Sequence, residues 1–155
     1  MAAAAGATEA AAALPEAAQE VLERAVPLAN RMADAAGEVV LPYFRTPLQV
    51  EDKRLTEEMS PVTVADRAAE QAMRALLSET FPEHGVFGEE FGFSAGDDSD
   101  WTWVLDPIDG TKSFITGKPL FGVLVALLYR GRPVLGLIDQ PVLRERWLGR
   151  MGQRT

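Results

Sequence analysis

The chain is 155 residues long, enough for one ordinary domain or one domain plus a tail, and its 47% hydrophobic and 25% charged content is that of a chain able to bury a core. Its net charge of −8, from 23 acidic against 15 basic residues, argues against a nucleic-acid partner, because phosphate backbones need clustered Lys and Arg. With no cysteine and one histidine, His84, it has no disulfide, thiolate zinc site, Cys nucleophile or His-rich metal site, so any metal would be held by oxygen: Mg²⁺, Mn²⁺ or Ca²⁺.

The first 14 residues are Ala-rich and contain no Lys or Arg, which predicts a disordered or weakly helical tail without the basic region of a secretory signal. No apolar run approaches about 18 residues, so no membrane-spanning segment is expected. From about Pro15 to Phe44, Leu22, Ala25, Leu28, Ala29, Met32, Ala36, Val39, Val40 and Tyr43 recur at three- and four-residue steps, predicting a helix that Pro27 kinks or restarts. Residues 45–60 lack periodicity and predict a charged loop, with a short strand around Leu48–Val50. A second helix is predicted from near Thr63 to before Pro82, on a stripe of Ala65, Ala69, Ala72, Met73, Leu76 and Leu77. Val86-Phe87 reads as a short strand, Phe91–Asp100 as a loop, and Trp101–Leu105 as a buried strand broken at Asp106-Pro107. Leu120–Tyr129 and Pro133–Ile138 predict an antiparallel hairpin, with Arg144–Leu148 as a third strand. Helices first and a meander second give an α+β fold: two N-terminal helices on a mainly antiparallel sheet. The closing residues, Arg150 to Thr155, carry no stop signal or closing element, and the end looks like a cut.

The densest chemical feature is Asp106-Pro107-Ile108-Asp109-Gly110-Thr111. If the chain turns at Pro107, the two carboxylates face one point and the Ile108 carbonyl is left as a further ligand. Gly110 and Thr111 then offer amides and a hydroxyl to an anion. Cation ligands beside an anion cradle suit metal-assisted phosphate hydrolysis, although the same residues also read as a plain Pro-x-Asp-Gly β-turn. Glu89-Glu90 reads alone as a solvated acidic pair, and Asp66, three residues after Thr63, as half of a capping box. Lys53 reads as a surface lysine and His84, within Pro-Glu-His-Gly, as an exposed turn residue. Taken together, acids after two strands and at one helix start, without Cys or a His cluster, point to an oxygen-lined Mg²⁺ site.

The series Pro61-Val62-Thr63-Val64-Ala65-Asp66, then Gly88-Glu89-Glu90, then Trp103-Val104-Leu105-Asp106-Pro107-Ile108-Asp109-Gly110-Thr111 resembles the signature motifs of the inositol monophosphatase family. Ser113-Phe114-Ile115-Thr116-Gly117-Lys118-Pro119, Ile138-Asp139-Gln140-Pro141 and Glu145-Arg146-Trp147 resemble its histidinol-phosphate phosphatase branch. The resemblance implies that residues 15–155 are the metal-binding N-terminal domain of that family's layered α/β sugar-phosphatase fold. It implies a first Mg²⁺ on Glu89, Asp106 and the Ile108 carbonyl, and a second on Asp106 and Asp109. Asp66 and Thr111 would orient and deprotonate the attacking water, with Asp66 also near a third metal and Glu89 counted among the catalytic groups. Asp109 and the Gly110 and Thr111 amides would bind the substrate.

Two departures stand out. Six residues, Arg54 to Met59, separate Lys53 from Ser60 where the family has a short gap, and the family's late Trp-Asp-x-Ala-type motif, which completes the second metal site, is not found in this chain. The implied activity is Mg²⁺-dependent hydrolysis of a small phosphomonoester, L-histidinol phosphate first and inositol 1-phosphate second. The other readings are a catalytically silent chain that acts only by dimerisation and an acidic metal-buffering domain. The expected setting is soluble and intracellular, cytoplasmic or plastid in a plant, with a homodimer for a full-length protein, and apolar surface is expected to lie exposed along the Leu120–Ile138 strands.

Overall fold

The computed structural model describes residues 14–52 and 61–153. Most of the Ala-rich tail, Lys53 and the extra loop residues that follow it lie outside the described residues. The elements are α1 (Glu16–Val40), continued by one 3₁₀ turn (Leu41–Tyr43), β1 (Val50–Asp52), β2 (Pro61–Thr63), α2 (Val64–Thr80), β3 (His84–Gly88), β4 (Gly92–Ser94), β5 (Asp98–Asp109), α3 (Thr111–Ile115), β6 (Gly122–Tyr129), β7 (Arg132–Gln140) and β8 (Glu145–Arg150). A six-stranded sheet runs in the order β4-β3-β5-β6-β7-β8. Only β3 and β5 pair in parallel; the other neighbours are antiparallel. The α+β expectation of helices on a mainly antiparallel sheet therefore holds.

Strand alternation sets the layers. Trp101, Trp103 and Leu105 of β5, Val123, Val125 and Leu127 of β6, and Leu135 and Leu137 of β7 are buried on the face that carries the helices. There they join Leu22, Leu28, Met32 and Val40 of α1 and Met73 and Leu77 of α2 in one core. The β7–β8 edge is tied to α1 by Arg146, whose guanidinium donates to Asp139 at 2.8 Å, to the Asn30 side chain at 3.0 Å and to Asp34 at 2.6 Å. The opposite sheet face is partly bare. Val104, Leu124, Ala126, Ile138 and Trp147 line an apolar groove of about 580 Å³, with Ile138 51% and Trp147 52% exposed. Exposed apolar surface on these strands was the expectation.

Several local expectations need correction. Pro27 does not restart α1, which is one helix through its exposed ring; the N–H it lacks leaves a carbonyl on the solvent side, where water can serve it. The predicted loop 91–100 contains β4 and the start of β5, because a Gly-Phe-Ser edge strand is too short to show periodicity. The expected strand at Leu48–Val50 is β1, displaced to Val50–Asp52, and it pairs with the unpredicted β2. Asp106-Pro107 does not end β5, which continues to Asp109 with a shift of register against β6 between Asp106 and Asp109.

His84 is the clearest reversal. It is 6% exposed and opens β3. Its ring stacks on Phe81 at 4.4 Å and on Trp101 at 5.6 Å, and its Nδ1 accepts the Trp103 indole N–H at 3.1 Å. Burial lowers the imidazole pKa from 6.5, so the neutral form is the folded one. His84→Leu should leave the buried Trp103 N–H unmatched and lower unfolding free energy by about 1–3 kcal/mol. In the parent chain the neutral ring's stabilisation is complete above about pH 6.5 and is lost as pH falls below it, because only the unfolded chain then takes the proton. Urea unfolding at several pH values should show that acid-side slope in the parent and a shallower one in the variant; identical curves would refute this account of His84.

Candidate functional site

The parallel pairing of β3 with β5 places the site. Gly88 lies opposite Leu105, so the next residue along each strand, Glu89 and Asp106, emerges at the same edge. The Glu89 amide donates to the Leu105 carbonyl at 3.1 Å, which holds the two strand ends in step. Carboxyl ends of parallel strands are a recurrent location for ligand sites. Here they bring two acids together. Burial is the first cause, hydrogen bonding with Glu89 the second, and the charges of Glu89 and Asp109 the next; together they push the Asp106 pKa up to about 8. One oxygen of Asp106, Oδ1, is buried without a hydrogen-bond partner.

After Asp109 the chain turns at Gly110, where φ is 90° and a side chain would be strained. A Cβ there would also sit 2.8 Å from the Leu120 carbonyl. The turn starts the short helix α3, whose first amides have no intrahelical acceptors. Thr111 Oγ1 lies 3.1 Å from the Ile108 carbonyl and 3.5 Å from Asp66 Oδ1. The Ile108 carbonyl, expected to be free, already accepts a bond from the Thr111 hydroxyl.

Asp66 forms the expected capping box and also faces Thr111. Its Oδ2 accepts from the Thr63 amide at 2.8 Å and the Thr63 hydroxyl at 2.6 Å, completing a capping box. Its Oδ1 faces Thr111. The structure therefore gathers Asp66, Ile108 and Thr111 in one contact group, and Glu89, Asp106 and Asp109 in another that meets it along the Asp106–Thr111 segment. Glu89 and Asp109 are exposed, and Asp66 is buried.

Among the described residues no three carboxylates or imidazoles converge into a ready-made metal cage. The donor set nevertheless fits a hard cation. A buried carboxylate oxygen lacks a partner, its neighbours are carboxylates that repel it, and the Ile108 carbonyl lies two residues on. Mg²⁺ keeps several waters and takes few protein oxygens, which matches an open arrangement of this kind.

One residue of the site escaped the sequence reading. Glu70, one helical turn after Asp66 on α2, is 0% exposed. Its carboxylate accepts from the Glu90 amide at 2.6 Å, directly after Glu89. The available signal was the spacing from Asp66 of four residues, which puts both acids on one face of α2.

Residues 19–155 match the model of the inositol monophosphatase family. The chain is 55% identical over 135 residues to the chloroplastic bifunctional phosphatase IMPL2 of Arabidopsis thaliana, covering 86% of this chain and 38% of that protein. It is 45% identical to a histidinol-phosphatase of Chlorobaculum parvum, over 81% of this chain and 47% of the relative. A solved inositol monophosphatase from Zymomonas mobilis superposes with a TM-score of 0.68 at 50% identity, covering 84% of this chain and 48% of that one. The chain thus spans about half the length, or less, of the relatives it matches. With a family match that runs from the first turn of α1 to the last residue and takes in all three acidic motifs, this chain belongs to the inositol monophosphatase family.

Proposed function

We propose that this chain supplies the metal- and phosphate-binding part of a Mg²⁺-dependent phosphomonoesterase whose substrate is L-histidinol phosphate, as in histidine biosynthesis. The observation that carries the reading is the Asp106 carboxylate: half-buried, with a buried Oδ1 short of a partner, and pressed against Glu89 where the parallel pairing of β3 with β5 ends. An arrangement that costs this much electrostatically in the metal-free chain makes sense as a cation site. Glu89, Asp106 and the Ile108 carbonyl would hold a first Mg²⁺, Asp106 and Asp109 a second, with Asp66 close to a third. Bound there, the ions supply charge to the attacking and leaving oxygens of an in-line displacement at phosphorus.

The chain's own residues account for the rest. The Gly110 and Thr111 amides point a helix start at the phosphate, and Asp109 lies exposed beside them to meet the substrate. Thr111 passes its hydroxyl proton to Asp66 as it takes one from the attacking water. The hydroxide so formed adds to phosphorus as the P–O ester bond breaks, the leaving alkoxide takes a proton from a solvent water, and the products are inorganic phosphate and the alcohol. The substrate assignment is supported by the 45% identity to the Chlorobaculum parvum histidinol-phosphatase. The 50% identity to the Zymomonas mobilis inositol monophosphatase favours inositol 1-phosphate as the alternative. Likeness to a chloroplastic Arabidopsis protein supports a plastid setting over the cytoplasm. No helix among the described residues is long and apolar enough to cross a membrane.

Phosphate release from both esters, with Mg²⁺ and with EDTA, tests the function. EDTA-sensitive release that prefers histidinol phosphate, and falls at least about 100-fold in Asp109→Asn, is the expected result. Release by Asp109→Asn at the parent rate would exclude that residue's role. No release by the chain alone, regained on adding the C-terminal half of a relative, would separate an incomplete enzyme from a wrong lineage.

Titration of Asp106 gives a second test. Below its ordinary pKa of 3.8 the group is protonated whether folded or not, and up to about 8 only the unfolded chain has ionised. Metal-free stability contributed by this group therefore falls across that window and levels off above it. A cation must displace the proton, so Mg²⁺ should raise the melting temperature more at about pH 8.5 than at about pH 6.5. Asp106→Asn should abolish the Mg²⁺ effect at both values; a shift that survives the substitution would move the cation elsewhere.

A further inference from the structure

Glu70 has no place in the proposed chemistry, yet it is a fully buried acid on an otherwise Ala- and Met-rich helix face. Burying a carboxylate is unfavourable unless paired charge and hydrogen bonds offset it, and an apolar residue would fill this position without that requirement. The offset here is directional. Glu70 Oε2 accepts from the Glu90 amide at 2.6 Å, and Oε1 accepts from Arg74 Nε at 2.7 Å and from the Phe91 amide at 3.4 Å. Arg74 then donates to the Gly92 carbonyl at 2.6 Å and the Ser94 hydroxyl at 3.1 Å, so both ends of the turn between β3 and β4 are held from α2. Gly88 allows the approach, because a Cβ there would fall inside the Glu70 carboxylate.

The consequence falls on Glu89. Its own amide is fixed to the Leu105 carbonyl of β5, and the next amide is fixed to Glu70. With the peptide planes on both sides of Glu89 tied to different elements, its Cα–Cβ direction toward Asp106 is set by what those two amides bind. The same helix carries Asp66 four residues earlier, so one rigid element locates both halves of the site.

We propose that Glu70, backed by Arg74, is a positioning residue that aims the Glu89 carboxylate for cation binding; this rests on the metal reading of the site given above. Glu70→Gln keeps shape but loses one of the acceptors that its amides and Arg74 require. Arg74→Lys keeps the charge opposite Glu70 and loses the forked contact with the β4 turn.

The test is Mn²⁺ affinity of the full chain by electron paramagnetic resonance, with amide exchange at Glu90 and Phe91, in the parent, Glu70→Gln, Arg74→Lys and Asp106→Asn. The parent should bind Mn²⁺ and Asp106→Asn should not. Glu70→Gln should weaken binding about tenfold or more while the Glu90 and Phe91 amides exchange faster. Arg74→Lys should move both readouts the same way by less, and it carries the test if Glu70→Gln does not fold. Parent-like Mn²⁺ affinity in whichever variant folds, or unchanged exchange at both amides, overturns the positioning role. No Mn²⁺ binding by the parent instead overturns the metal reading, and the proposal with it.

Discussion

The parallel pairing of β3 and β5 is the constraint on which the site depends. In a sheet otherwise antiparallel, it is the one place where two neighbouring strands run to the same edge, and an acid follows the last residue of the pairing on each. Glu89 and Asp106 could not meet if either strand ran the other way. Their meeting sets the electrostatics: a half-buried carboxylate beside another carboxylate retains its proton to about pH 8. Proton and cation then compete for one position, so the metal-free and metal-bound chains differ in protonation as well as in ligand.

Helix α2 does for the other half of the site what that pairing does for the acids. Its capping box uses Asp66 to satisfy Thr63, which leaves the second oxygen of Asp66 toward Thr111. A capping role and a chemical role are therefore compatible in one side chain, because a carboxylate has two oxygens and a cap occupies only one. One turn on, Glu70 spends both oxygens on backbone and guanidinium. The helix start and its second turn thus fix two separate loops relative to each other through one stiff element.

What the sequence made legible was local. Asp106 to Thr111 lies within six residues, so the motif itself encodes the turn and the helix start. Asp66 was visible through its spacing from Thr63, and the helices and the β6–β7 hairpin through their periods. What stayed hidden depended on distant partners. Pro-Glu-His-Gly has the composition of an exposed turn, and His84 is buried only because Phe81 and Trp101 close on either side of it and Trp103 donates to it. The acceptor role of Glu70 stayed hidden because it requires amides 20 residues away. The strands β2 and β4 are three residues each, too short for alternation to emerge.

The bare sheet face bears on the chemistry as well as on packing. Asp106 shares its groove with Val104, Leu124, Ile138 and Trp147, so one side of the carboxylate already faces hydrocarbon. Low local polarity raises the energy of an uncompensated charge and strengthens the attraction between that charge and a cation. The same residues that make Asp106 hold its proton in the free chain would make it a stronger ligand once the proton leaves. Any layer laid over the groove would deepen both effects. The strand that carries the site also carries the apolar face, so alternation along β5 couples the two: Leu105 turns into the helical core and Asp106 turns out toward the groove. A shift of one residue in that strand would exchange them and remove the site without changing the composition of the sheet.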